Sequence, residues 1–73
     1  MAGNNKNTVV VTLERKGVTA NGELKNCIRI YSIAGEEKQR ADVANSSEFI
    51  EMDTGKIYFY VAATNSWVAF MDS

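Results

Sequence analysis

Three carboxylates lie close together in the chain and are the first residues whose types could do chemistry. Paired acids can cleave glycosides or hold a hard cation, which makes Glu48, Glu51 and Asp53 candidates. Their spacing is poor for either task, because Glu48 and Glu51 point to opposite faces of a strand and an aspartate that begins a turn usually accepts from nearby backbone donors. We therefore expect solvated charges and a turn cap here, with no catalytic residue and no metal site.

Histidine is absent and cysteine occurs once, which removes the commonest general base and metal ligand. A single cysteine also excludes an internal disulfide and a thiolate cluster. Cys27 shares a strand face with Arg29, a cation that could activate it, but no histidine is present to act as its base. We predict a buried or half-buried structural thiol and a chain that is not an enzyme and needs no cofactor.

Aromatic residues near the C-terminus are the best candidates for binding. Tyr58, Tyr60 and Trp67 could form a protein interface, or they could stack nucleic-acid bases as small β-barrels do. A single-strand binder should also display a basic groove, whereas eight Lys and Arg against nine Asp and Glu give a formal charge of −1. We favour the interface and keep a barrel that binds single-stranded nucleic acid as the alternative.

The N-terminal half predicts a disordered arm and a β-hairpin. Residues 1–7 are polar and without periodicity, so we exclude them from the core. Residues 8–15 are rich in β-branched side chains and predict a strand, and residues 24–33 alternate as a second strand. Between them the Asn21-Gly22 pair favours positive φ, which predicts that the chain reverses within residues 16–23.

The C-terminal half predicts a three-stranded meander after a long loop. Residues 34–47 carry charge and small side chains, and we read them as a loop with at most one helical turn and as the best candidate for a mobile or functional loop. Residues 48–52 and 56–62 flank Asp53-Thr54-Gly55, where Gly55 suits the left-handed position of a tight turn. Residues 67–71 then read as a strand antiparallel to its predecessor.

These elements predict a single all-β domain over residues 8–73. We expect about five antiparallel strands, as an N-terminal hairpin plus a C-terminal three-stranded meander, in a small barrel or sandwich-like arrangement. The segment 57–63 is apolar on both faces, so the sheet must curl up or bury one face against another subunit, and we favour self-association. The predicted core is Val9, Val11, Leu13, Ile28, Ile30, Ile50, Ile57, Phe59, Val61, Val68 and Phe70.

One stretch of the C-terminal third resembles a known group of proteins. Residues 51–60, followed by Asn65-Ser66-Trp67-Val68, resemble the "acid, x, Asp-Thr-Gly-Lys, x, Tyr, x, Tyr or Phe … Trp" ending of short proteins encoded in phage and prophage structural-gene regions of Gram-positive bacteria. The proline-rich residues that often precede this ending are absent. The resemblance implies a small, non-enzymatic β protein of phage particles or their assembly, and it supplies no catalytic residues.

The expected function is therefore structural and depends on protein–protein contacts. We expect self-association, binding to other phage proteins, or both, and we expect neither nucleic acid nor a membrane as partner. The longest apolar stretch, residues 57–63, is far below the roughly 20 residues of a membrane-spanning helix. The polar start lacks the apolar region of a secretory signal, so we expect the host cytoplasm or the virion as location.

Overall fold

Five β-strands make up the regular structure of residues 8–38 and 42–71, the part of the chain described by a computed structural model. The strands are β1 (Val9–Val18), β2 (Leu24–Ser32), β3 (Glu48–Glu51), β4 (Lys56–Val61) and β5 (Ser66–Met71). The all-β prediction is confirmed, and the predicted arm of residues 1–7 lies outside the described part. That part contains no helix long and apolar enough to cross a bilayer.

The N-terminal hairpin forms as predicted, with a longer first strand. β1 and β2 pair antiparallel, and the register shifts between Thr12 and Lys16. Beyond this irregularity β1 continues to Val18, whereas the predicted strand ends at residue 15. The Thr19 N–H closes the turn on the Glu23 carbonyl at 2.7 Å, and Gly22 adopts a φ of 89°. A positive φ at this position is easily reached by glycine, which is why the Asn-Gly pair predicts the turn.

The C-terminal meander is also confirmed. β3 pairs antiparallel with β4, and β4 with β5. Gly55 has a φ of 80°, as the tight-turn prediction requires, and its N–H donates to the Glu51 carbonyl at 2.7 Å. The second turn ends at Asn65, which takes a φ of 51°, a conformation that asparagine tolerates better than most side chains.

The pairing of β2 with β3 differs from the prediction because it is parallel. Parallel neighbours need a long crossover connection, and residues 33–47 provide it. The sheet has the order β1-β2-β3-β4-β5, so β1 and β5 are its two edges. Among the described residues these edges do not pair, which means that the strands form one open mixed sheet instead of a closed barrel or two packed sheets.

The two faces of the sheet have different environments. The covered face lies under the crossover, since the Lys38 ammonium sits 4.5 Å from the ring centroids of both Phe49 and Tyr58. The strand registers place on this face Ile30, Ser32, Phe49, Glu51, Tyr58, Tyr60 and Trp67. The opposite face, here called the open face, carries Val9, Val11, Arg29, Tyr31, Glu48, Ile50, Ile57, Phe59, Val61, Val68 and Phe70.

The core is therefore not the predicted one. The buried apolar side chains are Cys27, Ile30, Val43, Ala44, Phe49 and Tyr60, and only Ile30 belongs to the predicted set. Val9, Val11, Val68 and Phe70 are exposed, while Leu13, Ile28, Ile50, Ile57, Phe59 and Val61 are half-buried. The alternating pattern separates the two faces correctly, but both are apolar in β4, so the pattern does not reveal which face the crossover covers.

Candidate interaction surface

Side chains of all five strands form one continuous row across the middle of the open face. Val11 lies opposite Arg29, Arg29 opposite Glu48, Glu48 opposite Phe59, and Phe59 opposite Val68. Laterally paired residues of a sheet project from the same face, so these side chains stand side by side. The row has an apolar group at each end and an ion pair at its centre.

A second row beside the first extends the apolar surface. It runs from Val9 through Tyr31 and Ile50 to Ile57. Phe70 fills the position between the rows at the β5 edge, where its ring lies 4.8 Å from the ring of Phe59. Val9 is 56% exposed and Phe70 is 63% exposed. A contiguous apolar patch of this kind on a small protein makes the open face a candidate contact surface.

The ion pair at the centre of the open face is part of a three-residue cluster. The Arg29 Nε donates to Glu48 Oε1 at 2.6 Å, and Arg15 Nη2 donates to Glu48 Oε2 at 3.2 Å. The hydrogen bond from Arg29 lowers the pKa of Glu48 despite the opposing effect of burial. The same hydrogen bond raises the pKa of Arg29. Arg29 and Glu48 are therefore charged at neutral pH, and the Arg15 guanidinium adds a second positive charge, so the cluster carries one net positive charge.

The predicted aromatic interface does not lie on this surface. Tyr60 is 1% exposed and its hydroxyl donates to Asn65 Oδ1, so it is a core residue. Tyr58 and Trp67 are half-buried on the same covered face, and both contact Phe49 edge-on, with centroid distances of 6.4 and 5.8 Å. These rings stabilise the covered face by packing against each other.

Lys38 fixes the crossover to the covered face. Its ammonium lies above two aromatic rings and donates to Glu51 Oε2 at 3.3 Å. The other carboxylate oxygen of Glu51 accepts from Thr54 Oγ1 at 2.7 Å. These contacts lower the pKa of Glu51, with the Thr54 hydrogen bond as the largest cause. The nearly buried carboxylate is thus balanced by a cation that the crossover supplies.

The three acids considered for chemistry are kept apart. Glu48 lies on the open face and Glu51 on the covered face, as the strand alternation predicts. Asp53 Oδ1 accepts from the Ala34 N–H at 3.0 Å, so it caps the start of the crossover. Within the described ranges no group of three or more acids and cysteines could hold a metal ion. The acids thus serve ion pairs and a backbone cap.

Cys27 and the basic residues also have structural partners. The Cys27 thiol is buried and donates to the Asn45 carbonyl at 3.3 Å, as expected of a structural thiol. Lys25 pairs with Asp42 through a hydrogen bond that raises the pKa of Lys25. Lys38 and Arg29 lie on opposite faces of the sheet, so among the described cations these do not converge into a basic groove.

The crossover contributes the residues that sequence reasoning missed. Lys38 and the buried pair Val43-Ala44 belong to a segment whose composition looked too polar to cover a face. A shallow groove of about 360 Å³ runs beside it, lined by Glu37, Lys38, Ser66 and Trp67. The signal for Val43 and Ala44 was weak, because two apolar residues show no periodicity.

The strand register and the exposed side chains therefore identify the open face as the candidate interaction surface. No protein-family model, curated protein or solved structure matches this chain.

Proposed function

We propose that this chain is a non-enzymatic structural or assembly protein that acts through protein–protein contacts made by the open face. The observation that carries the proposal is the contiguous apolar surface, where Val9, Val11, Val68 and Phe70 are all at least 40% exposed. Monomeric domains bury most side chains of this kind, and a patch extending over five strands is stabilised when a partner removes it from water.

The likeness to short proteins of phage and prophage structural regions supports the same role. The Asp53-Thr54-Gly55-Lys56 turn of that ending joins β3 to β4, two of the strands that carry the open face. The proposal places the protein in virions or in their assembly in the host cytoplasm. Capsid, tail or portal genes beside its gene would support this role, and a neighbourhood of unrelated metabolic genes in every genome examined would contradict it.

The charges of this surface favour a protein partner over single-stranded nucleic acid. Arg15 and Arg29 both bind Glu48, and Lys25 binds Asp42, so each of these cations is already paired with a carboxylate, and the arginine cluster keeps only one net positive charge. A phosphate backbone would have to displace those carboxylates. We expect labelled single-stranded DNA and RNA not to bind at low salt, and salt-sensitive micromolar binding would favour nucleic acid instead.

A dye that fluoresces on apolar surfaces tests whether the open face is available. Dilute wild-type protein should bind 8-anilinonaphthalene-1-sulfonate, and Phe70→Asp should bind less of it. Leu24→Asp is the matched control, because Leu24 is 64% exposed but belongs to the turn end of β2. If the dye does not bind, or if both variants lose it equally, the open face is not the contact surface.

A further inference from the structure

The apolar side chains of the open face are unequal in size on its two sides. In the two rows of the open face, the β1 flank carries Val9 and Val11, whereas the β4 flank carries the larger Ile57 and Phe59. Packed sheets interdigitate best when large side chains of one meet small side chains of the other. A surface with small residues on one flank and large residues on the other is therefore complementary to a rotated copy of itself.

The charges at the centre of the face are also complementary to those of a rotated copy of the face. Arg29 and Glu48 stand side by side on β2 and β3, directly opposite in register. When a second copy is turned by 180° about an axis along the strands between them, its Arg29 falls on Glu48 and its Glu48 on Arg29. Charge pairs arranged in this way match across an interface of two identical chains.

We propose that the β1–β4 part of the open face is covered by a second copy of this chain, packed face to face about a two-fold axis between β2 and β3, with β5 outside the overlap. This inference rests on the proposed function and names its partner. The axis also brings Val11 of one copy over Phe59 of the other, and Val9 over Ile57, because each pair occupies one row at equal distance from the axis.

The size of the face sets the expected strength of this dimer. The two copies overlap over the four strands β1–β4, which lie about 4.8 Å apart and have about six residues each rising about 3.3 Å, so the overlap measures about 19 by 20 Å. This projected area, about 380 Å² per copy and about 760 Å² in total, is that of a weak, transient interface. We therefore expect a concentration-dependent dimer with a dissociation constant in the micromolar range.

Sedimentation equilibrium of the full chain from about 1 µM to 1 mM measures the association. We expect the mass to rise from 8.1 kDa toward twice that value. Val11→Asp should weaken the dimer at least tenfold, because its carboxylate would enter an apolar interface. Val10→Asp is the matched control: Val10 is 50% exposed on the same strand but projects from the other face, so its dimer should remain.

Charge reversal tests the central pair independently. Arg29→Glu and Glu48→Arg should each dimerise less than wild type, since each places like charges across the axis. An equimolar mixture of the two variants should form a heterodimer that native mass spectrometry resolves by mass. Circular dichroism establishes whether the two charge-reversal variants are folded. If one of them is not, the comparison of Val11→Asp with Val10→Asp still tests the face-to-face dimer.

The outcomes separate this inference from the proposed function. A monomer at every concentration that still binds the dye overturns the second copy and leaves the open face as a surface for another protein. A monomer that binds no dye overturns both. If Val11→Asp and Val10→Asp weaken the dimer equally, the face-to-face arrangement is overturned. The same holds if a mixture of the folded Arg29→Glu and Glu48→Arg variants forms no heterodimer.

Discussion

Gly17 of β1 lies directly against the backbone of Asn45, so close that a Cβ on Gly17 would clash with the Asn45 carbonyl oxygen. The neighbouring N–H of Asn45 donates to the Val18 carbonyl at 2.9 Å. The contact joins the end of β1 to the end of the crossover. Here glycine is required by close approach of two backbones.

Replacing Gly17 by alanine should therefore destabilise the protein. The added methyl group must push the Asn45 backbone away, and we expect a loss of about 1–3 kcal/mol in the free energy of unfolding. Urea denaturation measures it. Lys16→Ala, at the exposed neighbouring position, should change the midpoint little, and equal effects of the two substitutions would contradict the close contact.

Removing the charge of Lys38 should loosen the crossover. Lys38→Met keeps most of the packing on Phe49 but leaves the nearly buried Glu51 carboxylate without its cation. We expect a loss of about 1–2 kcal/mol. Lys16→Met controls for the general effect of losing a surface charge. If Glu51→Gln and Lys38→Met have strictly additive effects in a double-mutant cycle, the two side chains are not coupled.

Tyr60 should behave as a core residue and Phe70 as a surface residue. Tyr60→Ala should cost about 3–5 kcal/mol, as large truncations in a core do. Tyr60→Phe should cost about 1 kcal/mol, because it removes only the hydrogen bond to Asn65. Phe70→Ala, measured in dilute protein, should cost much less than Tyr60→Ala. The reverse order would show that the crossover covers the other face.

Acid should destabilise the fold through Glu48 and Glu51. Both have a pKa below the ordinary glutamate value, so they stabilise the native state fully above about pH 4.3. That stabilisation is lost as the pH falls through their lowered native pKa values, since the unfolded chain binds protons first. Urea midpoints from pH 7 to pH 2.5 measure the loss. Glu51→Gln should show a shallower decline, and an unchanged profile would contradict this assignment.

Local structure was predictable because its causes are local. Alternating β-branched residues in β1 and the glycines at 22 and 55 fix strands and turns within a few residues of each other. The sequence also established that the acids at 48 and 51 face opposite ways. None of these inferences needs the position of a distant segment.

Which face of the sheet is covered and which is exposed was not predictable in the same way. Ile57 and Phe59 alternate with Tyr58 and Tyr60, and either set could form a core. The choice depends on which face the crossover covers, and only the contacts of Lys38 with Phe49 and Tyr58 in the structure reveal it. Most of the predicted core consequently lies on the open face, whereas Tyr60 is buried and Tyr58 and Trp67 are half-buried on the covered face. Yet the surplus of apolar strand surface that motivated self-association is present on the face opposite the crossover.

The parallel ladder between β2 and β3 has a kinetic consequence. Within the β1–β2 hairpin and within the β3–β5 meander, neighbouring strands are joined by short turns. Pairing β2 with β3 instead requires the long connection of residues 33–47 to bring the two parts together first. Closing such a loop costs entropy before any ladder hydrogen bond offsets it. We therefore expect glycines inserted near residue 36 to slow refolding while hardly changing the unfolding rate, so that collapse of the two halves onto each other is the rate-limiting event.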